Sequence, residues 1–478
     1  MKTKKIKNYL LNDEFEIKGT WMLPEGEQVA GILFYSNDQI RLELFNSLGA
    51  KDNSNGLDVI FGVTESGEEI TLLSAMRTNL KSHIGKHSLT FETYRASQIF
   101  VGMHCKSLDD IDFEAMEIEF SYFPEWLGEA VFKTHGRTLS DKTISINELD
   151  LIQIDIPFIN AELKGSGSIR TNNDLYRKAE FTSVSRLKLV PNEIKNFEWF
   201  RKQLYTLQKL MTVLTGRSVY ILDLIFIKEE PGHNELMNMD FIDSKEYKLL
   251  MRQGSIKLET KITEDSFIMS YQHVKSNFGE IVNKWFESEE KLDVVYDLFA
   301  GEYFGVTHIT KSFSNLMQSI EAFHRRNQPG TLIKSEDYDL YLNKINDYIK
   351  NTAPDRLKDK LIGSIKYGNE YSLRHRLIQL TDSLSSESRI LIFGDESNIK
   401  KFIQKLVDTR NYFTHYDEVG KSRIIESEKR IYAIQRLRLF MTMLLFKELG
   451  IKEEYIVERF KKDPRIHYQL VRANLNLQ

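Results

Sequence analysis

Ile399-Lys-Lys-Phe-Ile-Gln-Lys-Leu-Val-Asp-Thr-Arg-Asn-Tyr-Phe-Thr-His-Tyr416 reads as a helix that changes character part-way along. Ile399, Phe402, Ile403, Leu406 and Val407 recur at three- and four-residue steps, which puts them on one face. The same stripe reaches position 410, where an arginine stands. Asn411 is one turn beyond Val407, and His415 is one turn beyond Asn411. A cation, an amide and an imidazole therefore occupy or border a face that upstream is core. A guanidinium cannot shed its charge and is costly to bury alone, so Arg410 needs a carboxylate, a phosphate or an interface. The pattern predicts a helix from about Ser397 to Tyr416, ended by Gly420.

Arg410 and His415 lie ~140° apart on an ideal helix. One copy aims them apart, whereas two copies packed face to face could bring them together in a shared cleft. Such a pair suits RNA scission. The imidazole moves protons near neutrality, and the arginine stabilises charge on the reacting phosphorus. Spacing alone does not single this pair out. Arg77-Thr-Asn-Leu-Lys-Ser-His83 has the same kind of spacing in a strand-patterned stretch, and a core histidine beside an ion-paired arginine would look the same.

Outward from this helix, residues from about 295 to the end are helical almost throughout. Val306, Ile309, Phe313, Leu316, Met317, Ile320 and Phe323 mark one helix, stopped by Asn327-Gln-Pro-Gly330. A weaker one covers Tyr341–Ile349, and another opens at Ser372, an N-cap before Leu373. The last long helix is expected over Ile424–Leu449, with Lys447 in its final turn and Gly450 after it. Four or five helices with short connections make an α-helical bundle. The first ~130 residues instead read as strands separated by turn signals such as Asn53-Ser-Asn-Gly56 and Glu65-Ser-Gly67. Further strands follow, then a helix after Pro191 on Phe197, Phe200, Leu204, Leu207, Met211 and Leu214, with Gly216 as its C′ glycine. Lys164-Gly-Ser-Gly-Ser168 lacks the Gly-Lys-Ser/Thr of a phosphate loop and reads as a turn, and Pro231-Gly232 reads as a polar connection. The fold class is α+β: a β-rich module over 1–294, with a further split open between 130 and 190, then an all-α bundle over 295–478.

Composition narrows the classes. Of 478 residues, 41% are hydrophobic and 28% charged, with 25 Gly and 8 Pro, which excludes disordered and collagen-like chains. The single cysteine, Cys105, excludes an internal disulfide framework and a Cys-rich zinc site. Leu439–Phe446 is far too short an apolar run to span a bilayer, and the basic start meets Asp13, Glu14 and Glu16 before any apolar segment. These features point to a reducing compartment, the cytoplasm. Residues 1–300 hold 35 Lys+Arg and 46 Asp+Glu, a balance of −11; the remainder of the 65 and 69 gives +7 for 301–478. A polyanion would meet the C-terminal part. Arg374, Arg376, Arg436 and Arg438 are candidates for an RNA-facing patch, although ordinary surface charge explains them equally. His83-Ile-Gly-Lys-His87 has zinc-like spacing but no Glu after its first histidine, so no metal site is assigned.

Arg410-Asn-Tyr-Phe-Thr-His415, near a helix end and ahead of a long amphipathic helix, resembles the HEPN ribonuclease motif. Phe313-Ser-Asn-Leu-Met-Gln-Ser-Ile-Glu-Ala-Phe-His324 and Ser372-Leu-Arg-His-Arg376 resemble its ApeA-type branch. Gly19-Thr-Trp-Met-Leu-Pro24, Gly62-Val-Thr-Glu-Ser-Gly-Glu-Glu-Ile-Thr-Leu72, Phe100-Val-Gly102, Glu125-Trp-Leu127 and Leu214-Thr-Gly-Arg217 resemble the ApeA N-terminal domain. The resemblance implies an anti-phage ribonuclease acting by abortive infection, cutting RNA, by family analogy tRNA, without metal or organic cofactor. His415 would be general acid or base, Arg410 the transition-state cation and Asn411 an orienter. Glu321 matches an acidic position of the first HEPN helix, and Thr414 and Tyr416 are supporting candidates. The partners implied are RNA, a second copy of the chain or a higher homo-oligomer, and a phage-derived trigger at the N-terminal module. A non-catalytic HEPN scaffold for RNA or protein is the alternative.

Overall fold

The computed structural model describes residues 5–49, 56–83, 89–108, 110–129, 131–136, 143–146, 152–174, 177–234, 239–305, 308–415 and 422–477. The chain forms two compact units that divide between Phe286 and Glu287. The division falls inside a single helix, and so does the expected cut at 294/295. Helical periodicity carries no break there, which is why the pattern alone does not mark the boundary.

The first unit opens with β1 (Phe15–Met22), β2 (Val29–Tyr35), β3 (Ile40–Leu44), β4 (Leu57–Thr64), β5 (Glu69–His83) and β6 (Leu89–Ala96). Their pairing runs β5-β4-β1-β2-β3-β6 and returns to β5, a closed antiparallel ring. Phe15, Ile17 and Trp21 alternate inward along β1, as their two-residue spacing requires. Trp21 is fully buried against β4, where a Cβ on Gly62 would come within 2.4 Å of its ring; only glycine leaves the indole this space. At Ser74, whose φ is 51°, β5 bends. Before the bend it pairs with β7 (Gln98–Val101), and after it with β6.

The chain continues through β8 (Asp112–Phe113), β9 (Ala115–Phe120), α1 (Phe123–Leu127), β10 (Phe132–His135), β11 (Thr143–Ile146), β12 (Gln153–Ile156), β13 (Ala161–Asp174), β14 (Lys178–Pro191), β15 (Lys195–Asn196), α2 (Phe197–Thr215), β16 (Ile221–Asn234) and β17 (Met239–Met251), of which β10 with β11 and β8 with β15 form separate two-stranded sheets. From β7 the order is β17-β16-β9-β14-β13-β12. Two expectations fail here. Lys164–Ser168 is no turn: it lies inside β13, paired with Lys188–Val184 of β14. Gly165 serves close backbone approach: its N–H donates to the Ile152 carbonyl at 2.7 Å, and a Cβ there would lie 3.0 Å from the Ile152 nitrogen. Pro231-Gly232 is no connection either but part of β16. β16 pairs with β9 only as far as Ile227, so Pro231 sits where a missing N–H is tolerated. The helix after Pro191 forms as expected: Asn196 caps it by accepting from the Trp199 N–H, and Gly216 ends it at φ 65°.

After α3 (Tyr271–Val274) and α4 (Phe278–Gly301), the second unit contains α5 (Ile309–Asn327), α6 (Ser335–Thr352), α7 (Asp355–Lys366), α8 (Leu373–Asp382), α9 (Ser386–Phe393), α10 (Ile399–His415), α11 (Arg430–Glu448), α12 (Glu453–Lys462) and α13 (Pro464–Asn476). Among the described residues this unit is all helical apart from one isolated bridge, Thr331–Glu370. The helical bundle is therefore richer than expected: α7, α9, α12 and α13 are only 8–13 residues long, which gives periodicity few turns in which to show. α11 starts later than expected because Ile425 is held outside it: its N–H donates to the Thr409 hydroxyl at 2.9 Å. Position 306 and Tyr416 lie outside the described residues. No helix among those described is long and apolar enough to cross a membrane.

Candidate functional site

α10 buries Ile399, Phe402, Ile403, Leu406, Val407 and Thr409. The stripe that packs so well upstream delivers Arg410 to the edge of the core, where its side chain is 37% exposed. There it meets the carboxylate anticipated on α5: Arg410 Nη2 lies 3.6 Å from Glu321 Oε2. Arg410 Nη1 also donates to Asn411 Oδ1 at 3.4 Å. The guanidinium is thus oriented from two sides without being enclosed. His415 is the last residue of α10 and is exposed, with exposed Thr414 beside it. Thr414 Oγ1 donates to the Arg410 carbonyl at 3.0 Å, spending its hydroxyl on the helix itself. Phe413 is half-buried, edge-on to Phe313 of α5 and covered by the Arg430 guanidinium 4.8 Å from its ring centre. These contacts fix the last turn of α10 against α5 and α11.

Glu321 belongs to a larger chain of charges, most of whose members are distant in sequence. Arg325 Nε donates to Glu321 Oε1 at 3.1 Å, one helical turn away, and its Nη1 donates to Glu370 Oε2 at 3.0 Å. Glu370 lies 4.0 Å from Arg376. Arg376 is 1% exposed; its Nε donates to the Tyr371 carbonyl, and its Nη1 lies 3.1 Å from His324 Nδ1. Arginine can only donate, so Nδ1 accepts and the His324 proton sits on Nε2, donating to Gln379 Oε1 at 2.7 Å. Burial first, and then the nearby Arg376 charge, push the His324 pKa down, which keeps that neutral tautomer. The one available signal was the pair of basic residues, Arg325 and Arg326, closing the helix that carries Glu321.

The four-arginine patch does not form. Arg374 is exposed, but Arg376 and Arg436 are buried, so the four guanidinium groups share no surface. Arg438 is half-buried, 5.5 Å from the Tyr303 ring centre. Positions 374 and 376, two apart on a helix, face different ways, so adjacency in sequence did not mean a shared surface. The zinc-like histidine pair has its second member, His87, outside the described residues.

The family model described as ApeA N-terminal domain 1 matches residues 16–285, more than half of the chain. This chain belongs to the ApeA family. The model described as Apea-like HEPN matches residues 314–455, which contain Glu321, Arg410 and His415. Both halves of the resemblance read from the sequence are thereby borne out, as is the β-rich module followed by a helical HEPN bundle. No curated protein and no solved structure matches the chain. HEPN domains are generally ribonucleases that typically dimerise and bind RNA, and this ApeA-family chain is supported as a nuclease-type anti-phage protein.

Proposed function

We propose that the chain is a HEPN endoribonuclease whose cleavage centre joins Arg410, Asn411 and His415 from two copies, and that it acts in abortive anti-phage defence on RNA, tRNA being the first substrate to test. The observation that supports this most is the placement of Arg410. It is oriented by Glu321 and Asn411 but left open to solvent, beside an exposed histidine on the same helix end. In the reaction, a 2′-oxygen attacks the adjacent phosphorus and gives up its proton to a base. The bond from phosphorus to the 5′-oxygen breaks, that oxygen receives a proton, and a 2′,3′-cyclic phosphate and a 5′-hydroxyl result. His415 serves one or both proton transfers, and Arg410 stabilises the negative charge gathered on the phosphoryl oxygens. None of these steps needs a metal ion. The N-terminal module controls the centre in response to a phage component.

The test incubates the purified chain with total tRNA and with mRNA in excess EDTA, beside His415→Ala and Arg410→Ala, and maps fragment ends. EDTA-resistant cuts with cyclic phosphate ends, lost in both variants, are expected. Cleavage surviving both substitutions overturns the site assignment. RNA binding with no cleavage by any form, even with phage lysate added, favours a scaffold.

A further inference from the structure

Arg436 is a second arginine with an unusual setting. On α11 it is 97% removed from solvent, at 3% exposure, and it lines a cavity of about 460 Å³ with Gly394, Lys401, Lys405 and Asn474. Its Nη2 donates to Asn474 Oδ1 at 2.6 Å, and its guanidinium lies 5.1 Å from the Phe402 ring centre. Its Nε has no hydrogen-bond partner, and no carboxylate among the described residues forms an ion pair with it. Burial alone pulls its pKa down to about 10, which accords with a cation that no nearby charge compensates. Among the described residues the only carboxylate lining the cavity, Asp395, is taken up by the Ser397 N–H and hydroxyl and by the Asn398 amide.

A buried guanidinium without a counter-charge is unfavourable unless something outside the chain supplies one. Lys401 and Lys405, one turn apart on the exposed side of α10, bring two more cations to the same cavity. Gly394, at φ 85°, leaves the guanidinium its room: a Cβ there would lie 3.1 Å from both Arg436 Nη2 and Asn474 Oδ1. Planar guanidinium and flanking ammonium groups match the oxygens of a phosphate in geometry and charge. We propose that this cavity is a phosphate-binding site, seating the phosphoryl group of a free nucleotide or of an RNA strand between Arg436, Lys401 and Lys405. The site stands apart from the cleavage centre in its residues but shares helix α10 with it. The proposal does not depend on the chain cutting RNA.

Calorimetric titration of the full chain with inorganic phosphate, with AMP and with a 2′-O-methyl oligoribonucleotide tests it, because the last lacks the attacking hydroxyl and stays intact. The expected result is binding of at least one probe, weakened about tenfold or more in Lys401→Gln/Lys405→Gln, whose surface positions leave folding undisturbed. Arg436→Met is the second variant. Without ligand its melting temperature should equal or exceed that of the parent, since a buried uncompensated charge has gone. The rise that the bound probe produces in the parent should vanish. Binding of AMP but not the oligonucleotide identifies a free nucleotide; the reverse identifies the strand. Binding of no probe at millimolar concentration overturns the proposal, as does binding that both variants retain.

Discussion

Asp223 and Glu321 are both carboxylates set among arginines, yet their surroundings differ sharply. Asp223 on β16 is buried, with Lys248 of β17 at 2.5 Å, Arg186 of β14 at 2.8 Å and Arg170 of β13 at 3.6 Å. Glu117 and Glu119 of β9 extend the cluster around Arg186. Lys248 itself is 5% exposed, and burial pushes its pKa down against the pull of Asp223. Asp223 is thus met from three strands at once and ties them together. Glu321 instead holds Arg410 by one contact of 3.6 Å, near solvent. A group locked on all sides is architecture, whereas a cation oriented by two neighbours and still open to solvent is free to meet a phosphate.

Substitutions can break that contrast. Arg410→Ala and His415→Ala should each lower RNA cleavage by about 10²–10⁴-fold, read from initial rates, while denaturation midpoints stay put. A similar loss of folding stability in either variant would place this pair with the architecture after all. Asp223→Ala should do the opposite. Removing one partner of a buried ion cluster costs about 3–5 kcal/mol, read as a lower urea midpoint for the unit that contains it. An unchanged midpoint would mean that the cluster is not structural.

Two smaller effects sharpen the comparison. Glu321→Gln frees Arg410 to wander, and cleavage should fall about tenfold, ~1.4 kcal/mol in the barrier, with stability nearly unchanged because partly exposed pairs contribute little. Glu453 is an intermediate case, accepting from the Ser385 N–H at 2.7 Å and pairing with Lys447 at 2.5 Å. Burial raises its pKa, but hydrogen bonds from Lys447, Ser388 and Ser385 outweigh this and hold it at about 2. Its folded value is thus below its unfolded value of about 4.3. The stabilisation is complete above the unfolded value and is lost as pH falls through the folded one. The stability advantage of the parent over Glu453→Gln, measured by urea unfolding, should therefore be constant at neutral pH and shrink from pH ~4.3 towards pH ~2. An advantage that persists at the acid end would mean that the carboxylate charge is not what matters.

Local pattern determined a good deal of this protein. The α10 stripe, the Ser372 cap, which accepts from the His375 N–H, the Gly216 terminus and the inward alternation of Phe15, Ile17 and Trp21 all follow from side-chain periods of 3.6 and 2 and from capping chemistry. The order of motifs was enough to suggest the family. Tertiary structure alone decided which charges meet. Glu321 reaches Arg410, Arg376 turns inward to His324, and Arg436 sinks beside Asn474, because α5, α8, α10, α11 and α13 pack as neighbours. It likewise drew Lys164–Ser168 into a strand against β14. Periodicity fixes which face of an element is apolar but carries no information on which distant element will cover it. The partners of a charge are therefore set by packing.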